Sequence, residues 1–424
     1  MCRTGYGKYL SLLVTLGLLL TVLPGSAQAG VAGGSEHPPK QPHEREVLLG
    51  GLFSLTGNWA TLGQTSAVAV EIAVEEINRY LEGNAAGLRF RVAVVDTRLE
   101  PERALEEVRA LHARGAKILI GPQSSAEVAY LKPYVDANGL LLVSHGSTAG
   151  NLAIPGDNVF RFTPSDVPEG VANSTVIWED GIRAVVPIWR DDAGNAGLAV
   201  ATRAAFSALG GTVLEGVSYD TATEDFTATA AALRAQVEGA IAEQGGDRVA
   251  VYLAAFDEVV QLFASAAADP VLGTVRWYGS NGVALSDALV SDPTAADFAI
   301  RTGYPNPVFG RDEGAREIWE PLVEQIRART GHEPDGFALA VYDAVWVAAR
   351  GYTASGATQD IERLKHAFTT AAATHYGATG WAVLNEAGDR RYGDFDFWAI
   401  RMQDGVPRWT RVAVYEGRTG RLTR

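Results

Sequence analysis

From Glu46 onward, apolar runs of strand length alternate with stretches of helical periodicity, and this alternation constrains the fold more than anything else in the 424-residue chain. Residues 47–55 form a mostly apolar run. Ala69, Ile72, Ala73, Ile77 and Tyr80 then recur at helical spacing, with Glu71, Glu75, Glu76 and Arg79 between them. Residues 88–96 alternate as a strand. Pro101 opens a helix to about Arg114, with Glu102, Glu106 and Glu107 in the half that the helix dipole favours for acids. A short buried strand over 117–121, a helix from Ser124 or Ser125 to Asn138 and a strand over 139–144 complete a βαβαβαβ series. That order predicts a parallel, doubly wound sheet with right-handed crossovers. A second series follows, with strands at 184–189, 212–218, 248–254 and 274–279 and helices at 197–209, 226–243 and 258–268. Two long helices at 314–330 and 336–351 come next, then short β segments around 381–384 and 395–401. The expected fold class is α/β, two doubly wound lobes of similar plan. Open sheets of this kind bind ligands at the carboxyl ends of their strands. Facing lobes would enclose a cleft there, a plan that also suits many enzymes.

The ends and the composition bound the setting. Arg3 and Lys8 precede an uncharged, mostly apolar run over 9–23. Pro24 and Gly25 break it, and Ala27-Gln28-Ala29 places small residues at a cleavage site. This is the order of a secretory signal peptide over 1–29, and the run is shorter than the ~20 residues of a bilayer span. The only cysteine, Cys2, precedes the run, so a lipoprotein acylation site is absent and a periplasmic or secreted location is expected. The cleaved chain of 395 residues, long enough for two domains, would have no disulfide or thiolate metal site. Residues 30–45 read as a disordered leader. Two scattered histidines there, His37 and His43, do not make a metal site, and no metal or cofactor is expected. Loss of Arg3 and Lys8 takes the formal charge from −14 to −16. With no cluster of Lys and Arg, such a chain is a poor match for nucleic acid; its acidity suits solubility.

Catalytic signatures are missing. Ser144 and His145 are adjacent, but neighbours on a strand point to opposite faces and form no nucleophile–base pair. The sequence has no G-x-S-x-G elbow, no H-E-x-x-H and no G-x-x-x-x-G-K phosphate loop. An enzyme is therefore not expected.

The loops carry a resemblance. Residues 50–63 (GGLFSLTGNWATLG) and 73–78 (AVEEIN), Asp96 with Pro101, residues 120–125 (IGPQSS), 143–148 (VSHGST) and 160–166 (FRFTPSD), and 380–395 together are similar to the type I periplasmic binding proteins, in particular the leucine/isoleucine/valine-binding branch serving ABC transporters. The resemblance covers about 46–417 and lies in the order and spacing of the motifs. It implies three crossings that form a hinge, with lobe one at 46–165 plus 302–378 and lobe two at 166–301 plus 379–424. It also implies a cleft that closes on a small amino acid or related carboxylate or amide, an ABC transporter permease as partner, and a monomer. A ligand sensor of the same fold, feeding a receptor or regulator, would share every one of these features. A structural or adhesive role would predict no formed cleft.

The resemblance also implies a site. Ser125, where a strand meets a helix N-terminus suited to an anion, would hold the ligand's carboxylate; alone it also reads as a helix cap. Gly146 and Thr148 would supply a carbonyl and a hydroxyl to its amino and carboxylate groups. Trp59 would form an apolar wall, and Trp189 would close from the second lobe. Phe256 would offer a cation–π face. Two departures stand out. The loop at 191–197 lacks the family's tyrosine. Asn281 stands where amino-acid binders carry an acid against the ligand's ammonium. An amide does not neutralise a buried cation, so either Asp257 or Glu258 substitutes or the ligand is not a standard amino acid.

Overall fold

The computed structural model describes residues 45–84 and 87–424. The signal peptide expected over 1–29, almost all of the expected leader, and His37 and His43 lie outside the described residues. The first sheet is assembled from β1 (Arg45–Phe53), α1 (Ala60–Gly83), β2 (Leu88–Asp96), α2 (Pro101–Ala113), β3 (Ile118–Ile120), α3 (Ser125–Ala137), β4 (Leu141–Ser144) and β5 (Val159–Arg161). Its five strands are parallel, in the order β2-β1-β3-β4-β5. Alternate side chains enter different cores. Leu49, Phe53, Ile120 and Val143 pack toward α1, and Leu52, Leu119 and Leu142 pack against Val108 and Leu111 of α2 and Val128 of α3. Burial on both faces explains why these strands read as continuous apolar runs.

The second series gives α4 (Asp166–Glu179), β6 (Ala184–Arg190), α5 (Ala193–Ala208), β7 (Thr212–Val213), β8 (Val217–Tyr219), α6 (Thr227–Gln244), β9 (Val249–Ala254), α7 (Val259–Ala267), β10 (Arg276–Tyr278), α8 (Asp287–Ser291) and α9 (Pro293–Thr302). These strands are also parallel, in the order β10-β9-β6-β7 with β8 on β6. The chain continues through β11 (Asn306–Phe309), α10 (Arg316–Thr330), α11 (Gly336–Ala354), α12 (Ile361–Ala373), the small pair β12 (Tyr376–Gly377) and β13 (Gly380–Trp381), then β14 (Phe395–Gln403), β15 (Val406–Glu416) and β16 (Arg421–Thr423). α11 is apolar nearly all round and inserts beside α1, sharing the first lobe's core. β11, β14, β15 and β16 form an antiparallel sheet.

Several elements differ from the sequence reading. α5 starts at Ala193 rather than 197, because the Asp192 carboxylate accepts the N–H groups of Gly194 and Asn195 and so initiates the helix through a glycine-rich stretch. The expected strand at 212–218 is divided at Gly216, whose φ is 83° and which faces the Pro187 carbonyl so closely that a Cβ would lie 2.4 Å from it. α4, α8, α9 and α12 were not foreseen, nor was the antiparallel sheet into which the expected segment at 395–401 is built.

A buried ion pair braces this assembly. Arg161, at the end of β5, gives its Nε and Nη2 to the two Asp389 oxygens at 2.5 and 2.7 Å, both side chains being almost wholly buried. Its third arm donates to the Ala149 carbonyl at 2.6 Å. Backbone bonds run alongside, from Arg161 N–H to the Gly388 carbonyl and from Arg390 N–H to the Arg161 carbonyl. The late segment is thus stitched to the edge of the first sheet. Asp389→Ala strands a buried guanidinium and is expected to lower stability by about 3–5 kcal/mol. The double change Arg161→Met with Asp389→Leu is expected to lose much less; denaturant midpoints of the two variants check this.

Candidate functional site

The loops after β3 and β4 converge. Ser124 is the N-cap of α3: its hydroxyl accepts the Glu127 N–H, and the Glu127 carboxylate accepts the Ser124 N–H, both at 3.2 Å. The capping role therefore belongs to Ser124 and leaves Ser125 outside it. Ser125 Oγ lies 3.0 Å from Ser147 Oγ and accepts the Ala149 N–H at 3.2 Å. Thr148 is buried beside them, and its carbonyl accepts the Asp166 N–H at 2.9 Å. Gly146 is there for space: a Cβ would sit 2.7 Å from the Gln123 carbonyl and 3.4 Å from the Trp59 ring. Gln123 was missed by the sequence reading as a site residue. Its Nε2 donates to the Trp59 carbonyl at 2.9 Å and its Oε1 accepts the Ser54 N–H at 3.1 Å, which fixes the loop that carries Trp59.

Trp59 joins the two lobes. It caps α1 in the left-handed region at φ 58°, ψ 31°, a conformation strained for a bulky residue. Its ring stacks on Phe256, with centroids 4.7 Å apart and planes inclined by 28°. Its N–H donates to Asp257 Oδ2 at 2.8 Å. Asn58 adds a reciprocal pair: its amide donates to Glu258 Oε2 at 2.7 Å and its Oδ1 accepts the Asp257 N–H at 2.7 Å. Thr61 Oγ1 accepts the Asp287 N–H at 3.1 Å. Asp257 and Glu258, the two acids that could have replaced the one missing at 281, are thus committed to this clasp. Asp257 is also bonded by the Ser286 hydroxyl and Glu258 by the Tyr219 hydroxyl.

Deeper between the lobes, the first turn of α5 approaches Ser125, with the Cβ position of Gly194 3.6 Å from Ser125 Oγ. Asn281 is buried, and its N–H and Nδ2 donate to the two Glu169 oxygens at 3.1 and 2.6 Å. Glu169, on α4, was missed because the sequence pattern showed no helix there. Burial raises its carboxyl well above the usual range, and the charge of Asp166 adds to that. Asp166 is itself pushed up to about 6 by burial.

Trp189 is placed apart from the others. Its ring packs against Gly216, with the Arg203 guanidinium 5.9 Å away. The neighbouring Arg190 turns to the cleft instead, as alternation along a strand requires. Arg190 reaches Asp192 at 2.9 Å and Glu258 at 3.6 Å and lies 5.7 Å from the Phe256 ring. A cavity of about 250 Å³ opens between the lobes, lined by Glu100, Ser124 and Ala126 on one side and Arg190, Asp192 and Phe256 on the other. His145 is fully buried with its ring on Phe53, and burial lowers it to about 3, so it is a neutral packing residue.

The family model described as periplasmic binding protein matches residues 46–381. The chain belongs to the periplasmic binding protein family. An uncharacterised protein of Methanocaldococcus jannaschii is 29% identical over 396 residues, 89% of this chain and 92% of that one. A leucine-binding protein of Thermotoga maritima superposes with a TM-score of 0.68 at 20% identity, covering 87% of this chain and 98% of that one. A solute-binding protein of an ABC transporter from Rhodopseudomonas palustris, solved with 3,4-dihydroxybenzoic acid, gives 0.69 at 15% identity, covering 88% and 98%. The fold is that of ABC substrate-binding proteins, and members of the family are binding proteins, not enzymes. Among the described residues, no helix is long and apolar enough to cross a membrane.

The clasp has a pH dependence. Burial pushes the Asp257 carboxyl from 3.8 to about 6. An acid whose value is raised in the folded state binds its proton more tightly there, so its stabilising effect is complete below 3.8 and is lost as pH rises through about 6. The shift corresponds to at most roughly 3 kcal/mol. In Asp257→Asn the amide oxygen accepts from Trp59 and the amide nitrogen donates to Ser286. The melting temperature of this variant relative to wild type is expected to rise between pH 4 and pH 7.5; an unchanged difference across that range would contradict the assignment.

Proposed function

We propose that this protein is the extracytoplasmic solute-binding component of an ABC importer, taking a small amino acid or a related carboxylate or amide into the cleft between its lobes. Lobe one is read as 46–165 with 302–378, and lobe two as 166–301 with 379–424. The solute meets Ser125, Gly146 and Thr148 on the first lobe and Asn281 on the second, under the roof formed by Trp59 and Phe256. A permease receives the loaded protein, which acts as a monomer outside the cytoplasm, consistent with the signal peptide read over 1–29.

The observation that carries this reading is the clasp between Asn58-Trp59 and Phe256-Asp257-Glu258. It joins loops about 200 residues apart across the mouth of a cleft whose first-lobe wall bears a serine at a helix N-terminus. Such a terminus offers N–H groups and the positive end of a dipole to a carboxylate. Hinge closure around ligands is an established use of two-lobed folds. The leucine and dihydroxybenzoate of the similar proteins point to small carboxylates as the solute class.

A thermal-shift screen of the purified protein against amino acids, aliphatic and aromatic carboxylates and small amides tests the proposal. A solute at a hundred times its dissociation constant is expected to add about 2.7 kcal/mol. Ser125→Ala is expected to weaken that solute by about ten- to a hundredfold, the range for hydrogen bonds to charged groups. Stabilisation that Ser125→Ala leaves untouched would place the solute elsewhere.

A further inference from the structure

A second cavity, of about 290 Å³, has no part in the proposed function. It lies among the β12–β13 hairpin, the loop after β11 and the segment leading into β14, and it shares no lining residue with the cavity between the lobes. Its size suits one small molecule. The Gly310 N–H donates to the Asp394 carbonyl at 2.7 Å and so ties two of its walls together. Tyr376, Trp381 and Tyr392 line it, three of the five Phe, Tyr and Trp side chains that are exposed among the described residues. The Tyr376 and Trp381 rings lie 5.3 Å apart, centroid to centroid. Single surface aromatics need no explanation, but rings gathered around a formed cavity mark a binding surface.

Four charged side chains line the same space, two of each sign, and none of them forms an ion pair among the described residues. Arg390 is buried; its two Nη atoms donate to the hydroxyl and the carbonyl of Thr379, and its Nε has no partner. Arg418 is exposed, its guanidinium 4.7 Å from the centre of the Tyr392 ring. Asp312 Oδ1 accepts the Gly314 N–H at 2.8 Å. Its Oδ2 faces Gly380, where a Cβ would fall 2.2 Å away, so only glycine leaves that oxygen clear. Asp394 Oδ1 accepts the Gly417 N–H at 2.9 Å. Burial pushes the Asp394 carboxyl up, and the charge of Asp312 adds to that. The two acids thus repel each other while a buried guanidinium beside them lacks a counter-charge, which is costly. A simple anion would satisfy the arginines and oppose the acids, and a simple cation would do the reverse. A zwitterion satisfies both.

We infer that this cavity is a second ligand site, taking an aromatic zwitterion with its carboxylate toward Arg418 and Arg390, its ammonium toward Asp312 and Asp394, and its ring against Trp381 and Tyr376. The fork of Arg418 matches a carboxylate, an ammonium between two acids relieves their repulsion, and stacked rings add to the area buried. The inference stands apart from the proposed function, because no residue assigned to the solute in the cleft takes part.

Calorimetry on the purified protein tests it with matched probes: L-tryptophan, tryptamine without the carboxylate, indole-3-propionate without the ammonium, and L-leucine without the ring. The expected result is a tryptophan site that persists in Ser125→Ala, with the other probes binding there much more weakly. Trp381→Ala and Arg418→Gln change exposed residues and are expected to keep the wild-type melting profile. Each is expected to weaken tryptophan by about tenfold or more, the scale of a lost stacking contact or charged hydrogen bond. Asp312→Asn keeps the oxygen that accepts from Gly314 and is expected to weaken tryptophan while leaving indole-3-propionate no worse, a difference that general loss of structure would not produce. Absence of tryptophan binding in Ser125→Ala, binding indifferent to Trp381→Ala and Arg418→Gln, or equal binding of the singly charged probes would overturn this inference and leave the proposed function standing.

Discussion

The Arg161–Asp389 pair is the constraint on which the arrangement of the cleft depends. One guanidinium fixes three things at once: the end of β5, the carbonyl of Ala149 in the loop that carries Thr148, and the segment by which the chain returns late in its course. Buried ion pairs contribute little net stability compared with apolar packing, but removing one partner is severe. Its value here is therefore positional. The end of β5 and the late segment at 388–390 are held against the same strand edge. The loop bearing Gly146, Thr148 and Ala149 stays aligned with Ser125 on α3.

At the opposite side of the cleft the contacts are of another kind. The Asn58 amide, the Trp59 N–H and the stacked rings of Trp59 and Phe256 meet acids on a single loop. These are individually modest interactions between buried or part-buried groups, each worth on the order of 1 kcal/mol. The raised carboxyls of Asp166 and Asp257 lie on these two sides respectively.

Much of this was legible in the sequence. The parallel sheets announced themselves because strands buried on both faces are continuous apolar runs, and Pro101 and the Ser124-Ser125 pair marked helix starts. The site's first-lobe half could be placed because it sits on loops directly after such strands. What stayed hidden had physical causes. α4 begins with Asp, Val, Pro and Glu and buries its acids, so its polar positions resemble a solvated turn. β14 was expected at 395–401, but its partner β15 carries Arg408 and Arg411, and Pro407 disguises its start. Trp189 was read as closing over the ligand because it ends a strand as an aromatic; strand alternation turns the ring toward Gly216 and the Arg190 guanidinium toward Phe256. Glu169 required knowledge of a contact across more than a hundred residues.

The left-handed backbone of Trp59 has a quantitative consequence. Glycine would adopt that conformation without strain, whereas a side chain there carries a penalty of roughly 1–2 kcal/mol. The ring must therefore return more than that through its contacts with Phe256, Phe337 and the face of Gly146. One of these partners belongs to the other lobe, so when the lobes part the strain remains and a share of the compensation is lost. The approach of a phenylalanine therefore offsets the strain at this residue and does not release it.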